Sequence, residues 1–308
     1  MYDLIGDLHG HASALEELLE KMGYQLTSSG WQHPKRKVIF LGDYIDRGPN
    51  QLNTVNLVRN MLENDQALAI MGNHEFNAVA YATPHPKQAG AYLRSHEPKN
   101  LAQHQAYLEE VAFATPLHQE HLDWFKSLPL YLDLPELRAI HACWHPQELT
   151  KLKPFLDEQQ RIKEDAWLEL ALHGTPAFKA AETLLKGLEV ALPSGYSFKD
   201  KDGTERKMIR TKWWDSSKET YYDLAMLPEE DRKQLPKTPV STRLLPNYLG
   251  DKPLFLGHYW RTGTPQPLSQ HIACLDYSIA GGKDRKLCAY RFQGEKIIRP
   301  ENFVWVTG

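Results

Sequence analysis

Five short stretches of this 308-residue chain place Asp, Asn or His directly after an apolar run. They are GDLHG with Asp7 and His9, GDYIDRG with Asp43, Asp46 and Arg47, GNHE with Asn73 and His74, LRAIHA ending in His141, and PLFLGH ending in His258. Together they offer carboxylate, amide and imidazole donors and no thiolate. That inventory suits Mn²⁺, Fe, Zn²⁺ or Ni²⁺ better than Ca²⁺ or Mg²⁺ alone. Taken singly, each stretch is an ordinary polar turn. Metal chemistry follows only if a fold gathers the five ends. Gly6, Gly42 and Gly72 let the backbone turn sharply and approach an ion or phosphate closely.

The surrounding patterns supply such a fold. Tyr2–Ile5, Val38–Leu41 and Ala67–Met71 read as short apolar strands. Between them, Ala12–Met22 and Gln51–Leu62 carry apolar residues at helical spacing. A βαβαβ order of this kind implies parallel strands, right-handed crossovers and helices over the faces. Ligands of such sheets bind at the carboxyl ends of the strands. A polar helical stretch is expected from about 75 to 126. Two strands around a tight turn follow in LPLYLDLPELRAIHA, and PLFLGHYW, HIACLDYS, KLCAYRFQ and FVWV read as closing strands. The spacing predicts a single layered α/β domain over 1–308, its sheet completed by C-terminal strands. Residues 144–250 form a mostly helical insertion or lid within it.

GDLHG, GDYIDRG and GNHE, in this order and at these intervals, resemble the calcineurin-like metallophosphoesterase superfamily. Within it they resemble the phosphoprotein phosphatase branch, which holds Ser/Thr protein phosphatases, their bacterial relatives and symmetrical diadenosine tetraphosphatases. With the two later histidines the likeness spans nearly all of the chain outside 144–250. The resemblance implies a layered metallophosphoesterase fold and two divalent metal ions, with manganese expected. It matches Asp7, His9 and Asp43 to the first metal, and Asp43, Asn73, His141 and His258 to the second, Asp43 bridging. His74 matches the general acid, Asp46 the carboxylate that orients it, and Arg47 a phosphate-binding arginine. Arg210 in MIRTKWW is the expected second phosphate arginine, with Arg243 and Arg261 as rivals. Met71 stands where eukaryotic-type members carry an arginine, which points to the bacterial branch. Trp260 stands where many other members place a further metal-binding histidine, which favours phosphatase over nuclease.

The implied function is hydrolysis of a phosphate ester by metal-activated water. Its substrate is a phosphoprotein or small phosphomonoester, or a dinucleoside polyphosphate such as diadenosine tetraphosphate. A nuclease or phosphodiesterase, and a non-catalytic metal-binding module, are the alternatives. Intact His74, Asp46 and Arg47 argue against the module. A net charge of −3 gives no strong nucleic-acid or membrane signal. Three widely spaced cysteines, Cys143, Cys274 and Cys288, form no CxxC and are expected as reduced core residues of a cytoplasmic protein. No signal peptide or membrane span is expected. His11 and the histidines at 85, 96, 104, 118, 121, 145 and 173 are expected at the surface. Trp213 and Trp214 are expected to pack, and Lys199–Lys212 to be a solvated loop.

Overall fold

Two stacked sheets share the strand ends that matter. The computed structural model describes residues 1–199, 203–215, 217–248, 250–282 and 284–308, so part of the lysine-rich 199–212 segment lies outside the described residues. Strand β1 (Tyr2–Ile5) leads through α1 (Ala12–Lys21) and an unanticipated hairpin, β2 (Gln25–Thr27) and β3 (Gly30–Gln32), to β4 (Lys37–Phe40). From there α2 (Gln51–Glu63) leads to β5 (Ala67–Ala69). β1, β4 and β5 pair in parallel with Ile5 beside Phe40 and Phe40 beside Ala69. The expected βαβαβ unit is therefore present, and the residues after these three strands leave the sheet along one edge. Val38, Ile39 and Phe40 have no exposed surface, as a parallel strand covered on both faces requires. On the outer side α1 buries Leu15, Leu18 and Leu19, one stripe at helical spacing.

The expected helical stretch is three helices: α3 (Asn73–Ala82), α4 (Pro98–Glu110) and α5 (Pro116–Lys126). Pro84, Pro86 and Gly90 interrupt it, and α4 and α5 each begin on a proline, which costs no intrahelical hydrogen bond there. A hairpin follows, β6 (Tyr131–Asp133) with β7 (Arg138–Ile140).

Residues 144–250 are less helical than expected. They hold α6 (Pro146–Leu152), α7 (Trp167–Ala171), α8 (Pro176–Lys186), β8 (Glu189–Ala191), β9 (Phe198–Lys199), β10 (Glu205–Arg206), β11 (Met208–Arg210), α9 (Tyr221–Leu224) and α10 (Glu229–Arg232). β8 pairs antiparallel with β11, setting Arg210 opposite Glu189. Leu184, Leu185, Ile209 and Trp213 join the same apolar core as Leu15 and Val55, so this segment is built into the core rather than laid over it.

The chain closes with β12 (Leu254–Leu256), β13 (Ile272–Cys274), β14 (Asp276–Tyr277), β15 (Lys286–Phe292) and β16 (Phe303–Thr307). These strands complete two sheets, not one. β14, β15 and β16 extend the first sheet beside β1, whereas β13-β12-β7-β6 form a second. Leu4, Ile39, Leu41 and Ile70 from the first sheet and its strand ends share a buried cluster with Leu137, Ala139, Phe255 and Ala273. β7 and β12 run parallel, so His141 and His258, just past their ends, emerge together. Among the described residues no helix is long and apolar enough to cross a membrane.

Candidate metal centre and phosphate cleft

The turns that carry the motif residues are held in uncommon backbone conformations. Of the ten non-glycine residues with positive φ among those described, six lie here: His9 (44°), Asp43 (55°), Asp46 (71°), Arg47 (75°), His258 (70°) and Trp260 (46°). Each such residue costs roughly 1–2 kcal/mol against the right-handed alternative, so the surroundings must enforce it. Backbone bonds do part of this: Leu8 N and His9 N donate to Asp43 O at 3.0 and 2.8 Å, and Gly10 N to Tyr44 O at 2.9 Å. The buried Glu75 carboxylate does the rest. It accepts Asp43 N and Gly72 N, each at 2.9 Å, on one oxygen and Tyr44 N at 2.8 Å on the other. Burial and then the Asp43 charge push Glu75 up to about 7. Two glycines make room for carboxylates. A Cβ on Gly72 would sit 2.2 Å from Asp43 Oδ1, and one on Gly257 2.2 Å from Asp7 Oδ1.

Two groups of donor atoms meet at Asp43: His9, Asp43 and His74, and Asp43, His141 and His258, the atoms of each within 4.8 Å of one another. Each histidine of the cluster has one nitrogen already engaged. His9 Nδ1 donates to Ile45 O at 2.9 Å, leaving Nε2 buried with no hydrogen-bond partner. His141 Nδ1 donates to Leu41 O at 2.7 Å, which leaves Nε2 3.2 Å from Asn73 Oδ1 and 3.3 Å from Asp43 Oδ2. His258 Nδ1 lies 2.8 Å from Asn73 Oδ1. Asp7 lies outside both close groups, its carboxylate accepting His258 N at 3.2 and 3.1 Å. A backbone-anchored imidazole with its far nitrogen free is how a metal-binding histidine is oriented.

The charges tell the same story. Burial, then Asp276, raises Asp7 well above the usual carboxylate range. Burial, then His74, lowers His9 to about 3, so its ring is neutral. Burial would lower His141, but Asp43 and Asp7 hold it up at about 10. Buried carboxylates packed this closely, with an orphaned imidazole nitrogen among them, fit divalent cations.

Beside this cluster lies a buried group of one carboxylate and two imidazoles. His74 Nδ1 is 2.5 Å from Asp46 Oδ2, and His104 Nδ1 donates to Asp46 Oδ1 at 2.8 Å. Against burial, the hydrogen bonds from His104 and His74 hold Asp46 down at about 2. Burial would lower His74, but the Asp43 charge and the Asp46 hydrogen bond raise it. Arg47 Nη2 is 3.5 Å from His74 Nε2, and its guanidinium carbon lies 4.2 Å from the Trp260 ring centroid. β11 delivers Arg210, whose Nη1 is 3.3 Å from His258 Nε2. A cleft of about 730 Å³ opens here, with Arg47, Asn73, His74, Arg210 and His258 in its wall. The rivals Arg243 and Arg261 do not line it.

Sequence reasoning missed several residues. Glu75 and Asp276 are buried beside the cluster. His104, His118, His121 and His145 are buried too, not at the surface as expected. In α4, His104 is one helical turn from buried Tyr107, and that spacing is the signal that marks it as inward-facing. His96 and His173 are exposed as expected. His11 and His85 are only partly covered. Trp213 and Trp214 pack, Trp213 donating to Tyr259 OH at 2.8 Å, and the three cysteines are buried and unpaired.

The chain is similar in sequence or fold to several known proteins. The chain is 30% identical over 142 residues to the asymmetrical bis(5′-nucleosyl)-tetraphosphatase PrpE of Oceanobacillus iheyensis, a match covering 46% of this chain and 54% of that one. It is 31% identical over 140 residues to the PrpE of Halalkalibacterium halodurans, covering 45% and 54%. The chain thus spans about half the length of the curated relatives it matches. A cold-active protein-tyrosine phosphatase of a psychrophilic Shewanella superposes with TM-score 0.51 at 14% identity, over 94% of this chain and 74% of that one. A serine/threonine phosphatase of Saccharomyces cerevisiae gives 0.50 at 14% identity, over 99% and 78%. These two likenesses show the fold. The sequence model described as calcineurin-like phosphoesterase matches residues 2–198, more than half of the chain, and the chain belongs to that family.

Proposed function

We propose that this protein is a dinuclear metal-dependent phosphoesterase that hydrolyses a P–O bond with water. The observation that carries the reading is the Asp46–His74 pair, at 2.5 Å, placed beside Asp43 with Arg47 against it. Asp7, His9 and Asp43 are assigned to one divalent ion, and Asp43, Asn73, His141 and His258 to the other. Manganese is the metal the family resemblance leads us to expect, and the oxygen and imidazole donors suit Fe, Zn²⁺ or Ni²⁺ as well. Bound there, the ions would supply Lewis acidity and make a water more acidic.

The chain's own residues do the rest. Arg47 and Arg210 bind the phosphoryl oxygens through their planar guanidinium forks and offset the charge that builds up during displacement. His74, kept protonated by Asp43 and Asp46, gives its Nε2 proton to the departing oxygen. Asp46 fixes the ring so that Nε2 faces the cleft. Phosphomonoesters, including phosphoserine or phosphothreonine on a protein, and dinucleoside polyphosphates are the proposed substrates. The segment 144–250, which contributes Arg210 and Lys186 to the cleft, selects among them as part of the cleft wall. Three unpaired cysteines support a cytoplasmic location.

The test is one panel on Mn²⁺-loaded protein: an aryl phosphate, a phosphopeptide, diadenosine tetraphosphate and single-stranded DNA. Turnover of a phosphate ester, abolished by Asp43→Asn, is expected. Absence of turnover on all four with any divalent metal overturns the reading, and cleavage of the DNA alone replaces it with a nuclease.

A further inference from the structure

The cleft is larger and more basic than one phosphoryl group requires. Its volume, about 730 Å³, is in the range of sites that enclose a whole small molecule. Arg47, Arg94, Lys99, Lys186 and Arg210 line it against only Glu97 and Glu182, although the chain as a whole carries a net charge of −3. Lys186 is paired with Glu182 at 2.5 Å, and Arg210 stands 3.7 Å from Glu189. Arg94 differs from both. Its Nη1 donates to Asn77 Oδ1 at 3.1 Å and its Nη2 to Gln103 Oε1 at 2.8 Å, and among the described residues it makes no ion pair. Two neutral amide oxygens therefore aim a half-buried guanidinium without neutralising it. Glu182, Asp46 and Glu97 act on it only at longer range, and a pre-oriented guanidinium on a cleft wall is suited to a phosphate or carboxylate oxygen pair.

Position favours a second group on the same substrate. Arg94 and His74 border one small cavity, together with Asp46 and His104. Asn73 and His74 lie at the start of α3 and Asn77, which holds Arg94, one turn later. Arg47 and Arg210 already serve the phosphoryl group at the metal centre. Tyr92 and Phe178 add ring surfaces farther along the wall.

We infer that Arg94, oriented by Asn77 and Gln103, anchors a second phosphoryl group of the substrate, so that the cleft selects di- and oligophosphate esters over monoesters. This rests on the proposed hydrolase reading. For a nucleoside diphosphate the balance is simple. Water adds to the terminal phosphorus and the bond from that phosphorus to the bridging oxygen breaks. The bridging oxygen leaves on the nucleoside monophosphate with the proton from His74, and inorganic phosphate is released. Arg94 holds the phosphoryl group that stays with the nucleoside.

AMP and ADP, which share a nucleoside and differ by one phosphoryl group, make the test. With free Mn²⁺ fixed, kcat/KM of the wild type and Arg94→Gln is measured on both. The expected loss on ADP is at least ten times the loss on AMP, carried mainly by KM, with Arg94→Lys recovering part of it. Equal losses on the two, or none on ADP, overturn the inference. Phosphoserine peptides followed by Asp or by Asn form a third arm. An Asp preference that Arg94→Gln removes while ADP is unaffected assigns the site to a carboxylate instead and overturns it too. If neither nucleotide turns over, the four-substrate panel decides the hydrolase reading, and equilibrium dialysis decides the subsite. ADP binding at least tenfold tighter than AMP, lost in Arg94→Gln, supports it, and equal binding overturns it.

Discussion

Trp260 lies beneath Arg47, the guanidinium carbon 4.2 Å from the ring centroid. Trp260 is 44% exposed and Arg47 is exposed too, so neither residue is held by deep burial. The indole is the platform on which the proposed phosphate-binding fork rests. A partly exposed cation–π contact is worth about 1 kcal/mol. Trp260→Ala should therefore raise KM for an aryl phosphate about fivefold with little change in kcat, and Trp260→Phe should fall between. Steady-state kinetics decide this. An unchanged KM in Trp260→Ala would show that Arg47 needs no platform.

Asp46 is shared between His74 and His104. Removing the His104 donor leaves Asp46 Oδ1 without that bond and loosens the grip on His74. His104→Phe should lower kcat by about 10–100-fold, the range found for the partners that orient a site's ligands. Because His74 is the proposed proton donor, phenyl phosphate should suffer more than p-nitrophenyl phosphate, whose leaving group needs no proton. His104→Gln, which keeps a donor, should recover part of the loss. Equal effects on the two esters would reduce His104 to packing.

Glu75 has no place in the proposed chemistry, yet its carboxylate accepts three backbone N–H groups from two strand ends. In Glu75→Gln one of those groups would face an amide donor. A buried polar group left unsatisfied costs about 1–3 kcal/mol. Urea denaturation of the metal-stripped protein should show a loss of that size, which separates the effect from metal binding.

Burial lowers His118 and His121 to about 4 each, with His104 adding to the first and Arg59 to the second. A histidine whose folded pKa is depressed binds its proton more readily when unfolded. Stability from this pair is thus complete above about pH 6.5 and is lost as pH falls from 6.5 through 4. His118 Nδ1 accepts Ala114 N at 3.3 Å, so protonation there breaks a bond as well. Unfolding free energy should drop by on the order of 4 kcal/mol between pH 7.5 and 5, about half from each histidine. His121→Leu should flatten that slope, and an unaltered slope would place the titration elsewhere.

The first sheet and the gathering of its motif ends are legible in the sequence because the information is local. Ile5, Phe40 and Ala69 end apolar runs of strand length, and each is followed within a few residues by a glycine. The second sheet is not legible in this way. β7 and β12 pair across the whole of 144–250, with Leu254 beside Arg138, and no local pattern specifies such a partner. His104 is misread for a related reason. Its helix is polar overall, so the one-turn spacing of His104 and Tyr107 is a faint signal of the face that packs against α2. Arg210 is reached only through an antiparallel pairing with β8, a register that composition does not reveal. Trp260 is legible as a residue that is not a ligand, but its contact with Arg47 depends on a turn at positive φ that the sequence does not announce.

The proposed ligands come from both sheets: Asp7, His9, Asp43 and Asn73 from the ends of β1, β4 and β5, and His141 and His258 from the ends of β7 and β12. Asp43 and His258, assigned to the same ion, lie far apart in the chain and in different sheets. Any cation gripped by both sets works as a removable cross-link, closing one of the longest loops the chain can form. Occupancy and cohesion are then one quantity, since a ligand at a hundred times its dissociation constant adds about 2.7 kcal/mol to the folded state. Melting temperature against free metal becomes a titration of the site that needs no substrate. Chelation becomes a mechanical act, unfastening the seam between the two layers of the sandwich.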